Sequence, residues 1–328
     1  MSDFIPATDV ALVLETNNLA SGDADAVVTS LARLLLRLRA QTMPLADLGA
    51  LVITHDGLDA SAQSRLEAVA GRSITFVALA PGTGYYDAKN AGFDATTTPI
   101  VAFGDADCWP DPRWLQALVT PLGLGWHVAA GRTTYREGAL GEALSSIDFM
   151  YFRERGGSTT RNFYANNVAF RREVFEAHRY GDAPMYRGAC QLLGMRLHRA
   201  GVPVRYVDHA HTVHRLPDDW REVLELRLRR GQDLRDLAPH VVESVLPPVV
   251  PTRREPSRAL AGLVLAGRWL YSRKYVRGHA TTRRERATRL ALMTGVAGLD
   301  ALGALGPTRR HVEGALSYHA DVDRLRAA

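Results

Sequence analysis

Pro99-Ile-Val-Ala-Phe-Gly-Asp105-Ala-Asp107-Cys-Trp-Pro110 is an apolar run that ends abruptly in two carboxylates two residues apart. Side chains at i and i+2 of an extended chain point the same way, so Asp105 and Asp107 converge on one point at the lip of a sheet. Two like charges there repel unless a cation or hydrogen-bond donors compensate them. Oxygen ligands in that position suit Mg2+ or Mn2+ carrying the phosphates of a nucleotide, and the carboxyl end of a strand is where open α/β sheets place ligands. The competing reading is a solvated turn closed by Pro110 and Pro112; the buried-strand pattern before the pair and the flanking sequence weigh against it.

Working outward, short apolar runs alternate with helical patterns through the first half of the chain, as in a sheet of parallel strands covered by helices. Strands are expected at Val10 to Leu14, Leu48 to Thr54, Ser73 to Ala78 and Ile100 to Phe103, with helices at Asp23 to Arg39, Ala60 to Ala70, Tyr86 to Asp94 and Trp114 to Leu122. The pattern then loosens. Strands are read at Val128 to Gly131, Asn167 to Phe170 and Val204 to Val207, and helices at Gly141 to Phe152, Glu173 to Ala177, Gly188 to Arg199 and Trp220 to Arg230. Leu246-Pro-Pro-Val-Val-Pro251 breaks the chain, and two basic-apolar helical segments follow, Ser257 to Val276 and Arg283 to Leu305.

The 328 residues suffice for a full core, and 46% hydrophobic and 23% charged residues are ordinary globular values. The net charge of +5 comes mostly from late arginines and is unaccompanied by any nucleic-acid motif, so no nucleic-acid partner is expected. Cys108 and Cys190 have no metal-ligand spacing, and Met1 to Pro6 lacks the basic and apolar regions of a secretory signal, so a cytoplasmic protein is expected. Leu290 to Gly306 leans apolar but carries Asp300 and is marginal for a span of about 20 apolar residues, so it is read as non-spanning. The C-terminal helices, with Trp269, Tyr271, Arg273 and Lys274, suit peripheral contact with a membrane surface, a homodimer contact, or packing on the preceding domain.

Several ordered motifs carry a resemblance. Tyr86-Asp-Ala-Lys89-Asn90-Ala-Gly92, the Asp105-Ala-Asp107 run and Trp114-Leu are followed by Asn166-Asn167-Val-Ala-Phe-Arg171, Leu197-His-Arg-Ala-Gly201 and Val213-His214. Together they resemble the family-two glycosyltransferases of the GT-A fold over about Val10 to Gly231. The resemblance implies an α/β fold, a GT-A (Rossmann-like) mostly parallel sheet with flanking helices and a C-terminal helical extension. Residues 1–245 would form the GT-A domain, with 1–125 the nucleotide-sugar-binding half and 126–245 the acceptor half, and 246–328 the extension. It further implies a metal-dependent, non-processive, inverting transfer from a nucleotide-diphospho-sugar, a UDP-sugar being favoured, to an acceptor hydroxyl on a small molecule, glycan or lipid-linked group, with Mn2+ or Mg2+ as cofactor.

Residue roles follow from the same resemblance. Asp107 would ligate the metal and His214 complete its shell, with His209 and His211 as competitors for that place. Asp105 and Ala106 would lie against the donor's ribose or sugar, and Glu15, Thr16 and Asn17 would cradle the nucleotide, although the usual Pro at that bend is missing. Asp56 would read the base, since a carboxylate accepts an imide N–H; it is equally placed to be a turn aspartate before Gly57. Lys89, beside Asn90, would neutralise donor charge, and Arg229, with Arg227 and Arg230, would bracket the leaving diphosphate; the alternative for each is a solvated position on its helix. Tyr164, Asn166 and Asn167 would line the acceptor side, with core packing the alternative for the aromatic rings in that patch.

One departure stands out. Where the family carries an acidic pair after Arg-Gly, this chain has Arg187-Gly188-Ala189-Cys190-Gln191. The missing acid is the base that deprotonates the acceptor, a contribution of about 10²–10⁴-fold. Asp182 is the candidate replacement and Asp148 the other; a buried inert thiol is the expected state of Cys190. The alternative to an active enzyme is a catalytically degenerate protein that binds a sugar nucleotide or a partner without efficient transfer.

Overall fold

The computed structural model describes residues 5–16, 24–149, 158–181, 188–216, 219–245, 255–279 and 282–306. Asn17, Asp182, Arg187 and the break at Leu246 to Pro251 lie outside the described residues.

The alternating first half builds β1 (Val10–Glu15), α1 (Ala24–Arg39), β2 (Ala50–His55), α2 (Ala60–Ala70), β3 (Thr75–Ala78), α3 (Tyr85–Asp94), β4 (Ile100–Asp105), β5 (Cys108–Pro110) and α4 (Trp114–Gly123). The second half adds β6 (Val128–Tyr135), α5 (Ala139–Asp148), β7 (Thr159–Thr160), β8 (Val168–Arg171), α6 (Arg172–Ala177), α7 (Ala189–Arg199), β9 (Val204–His214), α8 (Trp220–Val245), α9 (Arg258–His279) and α10 (Arg283–Leu305). The sheet order is β3-β2-β1-β4-β8-β6-β9-β5, with β7 on the flank of β9. Pairing makes β3, β2, β1, β4, β6 and β9 run one way and β8, β5 and β7 the other, a mixed sheet with a parallel half.

Strands buried on both faces explain the near-continuous apolar runs of the sequence. Along β1, Val10, Leu12 and Leu14 pack with α1, α2 and α4, while Val13 faces the opposite layer. β4 alternates likewise, Ile100 and Ala102 on one side and Val101 and Phe103 on the other. Phe103, Phe170 and Phe175 then form an aromatic cluster with centroids 4.9–6.1 Å apart.

β6 and β9 are longer than their sequence pattern predicts, and the reason is a bulge. Their register jumps between Gly131 and Arg132, from Gly131↔Val207 to Arg132↔His211. The predicted strands end at Gly131 and Val207, where the jump begins. Asn167 closes the gap: its amide nitrogen donates to the carbonyls of Arg132 (2.9 Å) and Ala210 (3.1 Å), and its Oδ1 accepts from Trp114 Nε1 at 2.8 Å. A Cβ on Gly131 would lie 2.2 Å from Asn167 Oδ1 and from the Ala210 carbonyl, so only glycine fits there.

α8 also outruns its expected end at Arg230, passing through Pro239 to Val245. Proline at 239 deprives the Arg235 carbonyl of its helical donor. The Ser257 amide at the start of α9 supplies one instead, at 3.2 Å.

The C-terminal helices pack on the sheet domain. Val276, Met293 and Val296 share a core with Tyr135, Leu144, Ile147 and Phe149. A buried charge network joins the same elements. Arg227 on α8 has no exposed surface and donates to both oxygens of Asp148 (2.8 and 2.9 Å) and, on its other side, to Asp300 of α10. Arg230 also pairs with Asp148 and donates to Tyr135 Oη at 2.9 Å. Burial works to raise the Asp148 pKa, but the two guanidiniums outweigh it and hold the carboxyl well below the usual range. Breaking such a network on one side leaves a buried charge uncompensated, so Asp300→Ala is expected to lower stability by about 3–5 kcal/mol in chemical denaturation; a loss below about 1 kcal/mol would show the pair to be dispensable.

Candidate active site

The carboxyl ends of β1, β2 and β4 lie side by side because Glu15 is in register with both Thr54 and Asp105. Beyond β4 the chain is held on both flanks: the Ala106 amide donates to the Glu15 carbonyl at 3.1 Å, and Ser30 Oγ on α1 donates to the Ala106 carbonyl at 2.8 Å. The short strand β5 then pairs with the end of β9, Cys108 opposite His214, and the Arg215 amide donates to the Asp107 carbonyl at 3.0 Å. This pairing sets His214 Nε2 3.5 Å from Asp107 Oδ2. His214 Nδ1 lies 2.9 Å from the Arg215 carbonyl, which can only accept, so Nδ1 donates there and Nε2 is the ring nitrogen turned towards Asp107.

The two aspartates have different surroundings. Lys89, one turn before the close-packed Gly92 of α3, is 0% exposed and donates to Asp105 Oδ1 at 2.6 Å and to the Gly104 carbonyl at 3.0 Å. Tyr85 Oη donates to the same carboxylate, 2.7 Å from Oδ2. Burial, then the Asp105 charge, push the Tyr85 phenol well above its ordinary pKa, so it remains a donor. Asp105 is thus compensated from within the chain. Asp107 has no such cation among the described residues and turns instead to His214.

Ligand atoms of Asp105, Asp107, Cys108 and His214 all lie within 4.8 Å of one another. Burial, followed by the charges of Asp107 and Asp105, raises the Cys108 thiol well above its usual pKa, which makes it a poor ligand for a hard cation. A carboxylate oxygen and a neutral imidazole nitrogen fit Mn2+, and the oxygen alone fits Mg2+.

The remaining sequence candidates divide. Glu15 is buried at the strand end, and Thr16 Oγ1 donates to the Thr54 carbonyl at 2.6 Å, closing the bend between β1 and β2. Asp56 follows β2 at the same edge, and its Oδ1 is buried with no hydrogen-bond partner among the described residues. Asn90 donates to the Tyr180 carbonyl at 2.9 Å, and its Oδ1 is likewise buried without a partner among them. Asn166 accepts from Thr133 at 3.2 Å, Tyr164 packs its ring on Phe149, and Arg229 is half-buried on α8. His211 is tied to Thr134 (2.8 Å) and Asp111 (3.0 Å), away from Asp107, and His214 takes the place at the cluster.

Four expectations are corrected. Lys89 does not reach outward to a donor, because its charge is neutralised by Asp105 beneath the surface. Asn167 is fully buried with both amide atoms committed to the β6–β9 bulge, so it shapes the site without lining it. Arg227 and Arg230 are held by Asp148, with Asp300 on Arg227, and cannot bracket a diphosphate. Asp148, clamped between them and stripped of basicity, cannot serve as a base. Cys190 is a buried thiol raised in pKa by desolvation, accepting from Tyr86 Oη at 3.3 Å. Tyr85 and Arg215 were not anticipated. Tyr85 was legible as the residue one turn before Lys89 on the same helix face; Arg215, which grips Glu222 at 2.7 and 3.2 Å behind His214, carried no sequence signal.

Residues 28–179 match the family model described as Glycosyl transferase family 2. No curated protein sequence matches the chain. Among solved structures, the mannosyltransferase PcManGT from Pyrobaculum calidifontis in complex with GDP-Man and Mn2+ is similar over 92% of this chain and 90% of its own, with TM-score 0.55 and 17% identity. Glucosyl-3-phosphoglycerate synthase from Mycobacterium tuberculosis is similar over 73% of this chain and 81% of its own, with TM-score 0.47 and 20% identity. S. aureus TarS 1-349 is similar over 90% and 88%, with TM-score 0.48 and 12% identity. At these identities the likeness is one of fold, and the first of the three carries it. Because the family match runs from α1 through α6 and takes in both Asp105 and Asp107, sequence and geometry speak of the same residues: the stretch 28–179 carries the similarity to glycosyl transferase family 2, and the chain shares the GT-A fold.

Proposed function

We propose that the chain transfers a sugar from a nucleotide-diphospho-sugar to an acceptor hydroxyl with inversion, with Mn2+ or Mg2+ held by Asp107 and His214. The observation that carries this reading is the unequal treatment of the aspartates: Asp105 is neutralised by Lys89, while Asp107 has His214 Nε2 beside it at 3.5 Å. When bound, the cation supplies positive charge against the diphosphate as it leaves. Asp105, oriented by Lys89 and Tyr85, accepts a hydroxyl of the donor's ribose or sugar beside Ala106. Asp56 accepts an imide N–H of the base, which its partnerless buried oxygen favours and which suits a UDP-sugar. The relative solved with GDP-Man and Mn2+ supports the donor class and the cation. Glu15, Thr16 and Asn17 are assigned to the nucleotide, and Arg229 to the leaving diphosphate. Tyr164 and Asn166 belong to the acceptor side.

In the transfer the acceptor oxygen bonds to the anomeric carbon as the bond from that carbon to the diphosphate breaks, and the acceptor's proton passes to a base. With Asp148 excluded, Asp182 is the residue proposed for that role. The second reading, binding without efficient transfer, is favoured by one observation: Ala189 and the raised, hydrogen-bonded Cys190 thiol leave no base at the start of α7.

Two variants separate these readings. Asp107→Ala is expected to weaken Mn2+-dependent binding of UDP or GDP in calorimetry by about 100-fold or more; unchanged affinity would remove Asp107 as the ligand. Asp182→Asn is expected to leave that binding intact and lower turnover by about 10²–10⁴-fold. A wild-type chain that binds donor with Mn2+ but neither hydrolyses nor transfers it would favour the degenerate reading.

A further inference from the structure

α9 and α10 bury one side against α5 and α8, through Ala261, Leu265 and Val276 on the first and Met293, Val296 and Ala304 on the second. Their opposite sides are apolar as well. On α9, Leu263 and Leu270 are 57% and 50% exposed; on α10, Leu302 and Leu305 are 60% and 61% exposed. Between these leucines the outward positions are small. Ala266 and Gly267 lie between the first pair, and Ala291, Gly295 and Gly298 lead to the second, all of them exposed. A Cβ added at Gly267, Gly295 or Gly298 would meet nothing within 4 Å, so these faces are open. Steps of three and four residues put each set on one stripe of its helix.

Charge on this hairpin is one-signed where it is exposed. Lys274 near the end of α9 and Arg283, Arg284 and Arg286 at the start of α10 are all exposed, and no Asp or Glu lies on either outward stripe. The one acid at that end, Glu285, is committed to the Thr282 cap and to Arg289. The hairpin is therefore apolar along its shafts and basic at the end where the two helices connect.

α10 is the one helix among the described residues long and apolar enough to cross a membrane. It is nevertheless fastened lengthwise to the domain, by Asp300 to the fully buried Arg227 and by Arg289 to Glu142 of α5. A helix held at both ends against α8 and α5 lies along a surface. We infer that the outward faces of α9 and α10 seat the protein on an anionic phospholipid surface, leucines entering the headgroup boundary and the basic end meeting lipid phosphates. The charge pattern selects this occupant over a second copy of the chain: lipid phosphates would pair with the basic end while the leucines are covered, whereas the outward stripes of a second copy offer no Asp or Glu to meet it. The inference is independent of the metal and donor assignments.

The test is co-sedimentation of the full chain with vesicles of phosphatidylcholine alone and of phosphatidylcholine with phosphatidylglycerol. Binding to the mixed vesicles and not to the neutral ones is expected. Neutralising three basic residues together, Arg283→Gln, Arg284→Gln and Arg286→Gln, is expected to weaken it by about 100-fold. Leu270→Glu with Leu302→Glu, at exposed positions, is expected to abolish it with an unchanged circular dichroism spectrum and unchanged nucleotide binding. No binding to the mixed vesicles, binding indifferent to both sets of substitutions, or a solution dimer that the leucine substitutions dissociate would overturn the inference.

Discussion

The ion pair between Lys89 and Asp105 is the interaction on which the site depends. An ammonium removed entirely from water is stabilised only by a close counter-charge and by further acceptors, and Lys89 has both, at 2.6 and 3.0 Å. The pair is possible because α3 lies unusually close to the sheet. A Cβ on Gly92 would come within 2.4 Å of Val13 and 3.0 Å of Thr54, so glycine lets the helix settle and Lys89, one turn earlier, reaches beneath Gly104. With Asp105 neutralised from below, the strand end can carry a second carboxylate two residues later without doubling the local charge. Asp107 is then the carboxylate left to act outward, and β9 delivers His214 to it.

A second constraint works from the other side. β9 reaches the cluster only after the bulge that Asn167 and Gly131 hold open, and Tyr135, in register with His214, stacks edge-on with its ring at 5.6 Å. The Tyr135 hydroxyl donates to Asp148 at 3.1 Å and so joins the network that fastens α8 and α10. The C-terminal helices are therefore continuous, through buried contacts, with the strand that bears the histidine. Arginines whose sequence position suggested phosphate binding turn out to hold this framework together.

Much of the parallel half of the sheet was legible in the sequence. The apolar run ending in Asp105-Ala-Asp107, the helix carrying Lys89 and Gly92, and the alternation of strands and helices are local patterns, and local patterns survive folding. What was not legible arose from partners distant in sequence. Nothing near Lys89 says that it points inward, since a lysine on an amphipathic helix is ordinarily solvated. Asp148 and Arg227, 79 residues apart, meet only because α5 and α8 pack together. The strands β6 and β9 read short because a register break interrupts their alternation, and α8 read short because its arginines resemble an exposed face when two of them are buried. The place of the missing acid, at Ala189 and Cys190, was legible as an absence; the thiol's bond to Tyr86 was not.

The central claim is that Asp107 and His214 form a cation site beside an aspartate already neutralised by Lys89. Pulsed electron paramagnetic resonance of the Mn2+-loaded protein tests it most directly, because a directly bound imidazole imprints a nitrogen coupling on the manganese spin. The account predicts coupling to one histidine nitrogen in the wild-type protein and its disappearance in His214→Gln. A spectrum without nitrogen coupling, or one that His214→Gln leaves unchanged, would contradict it.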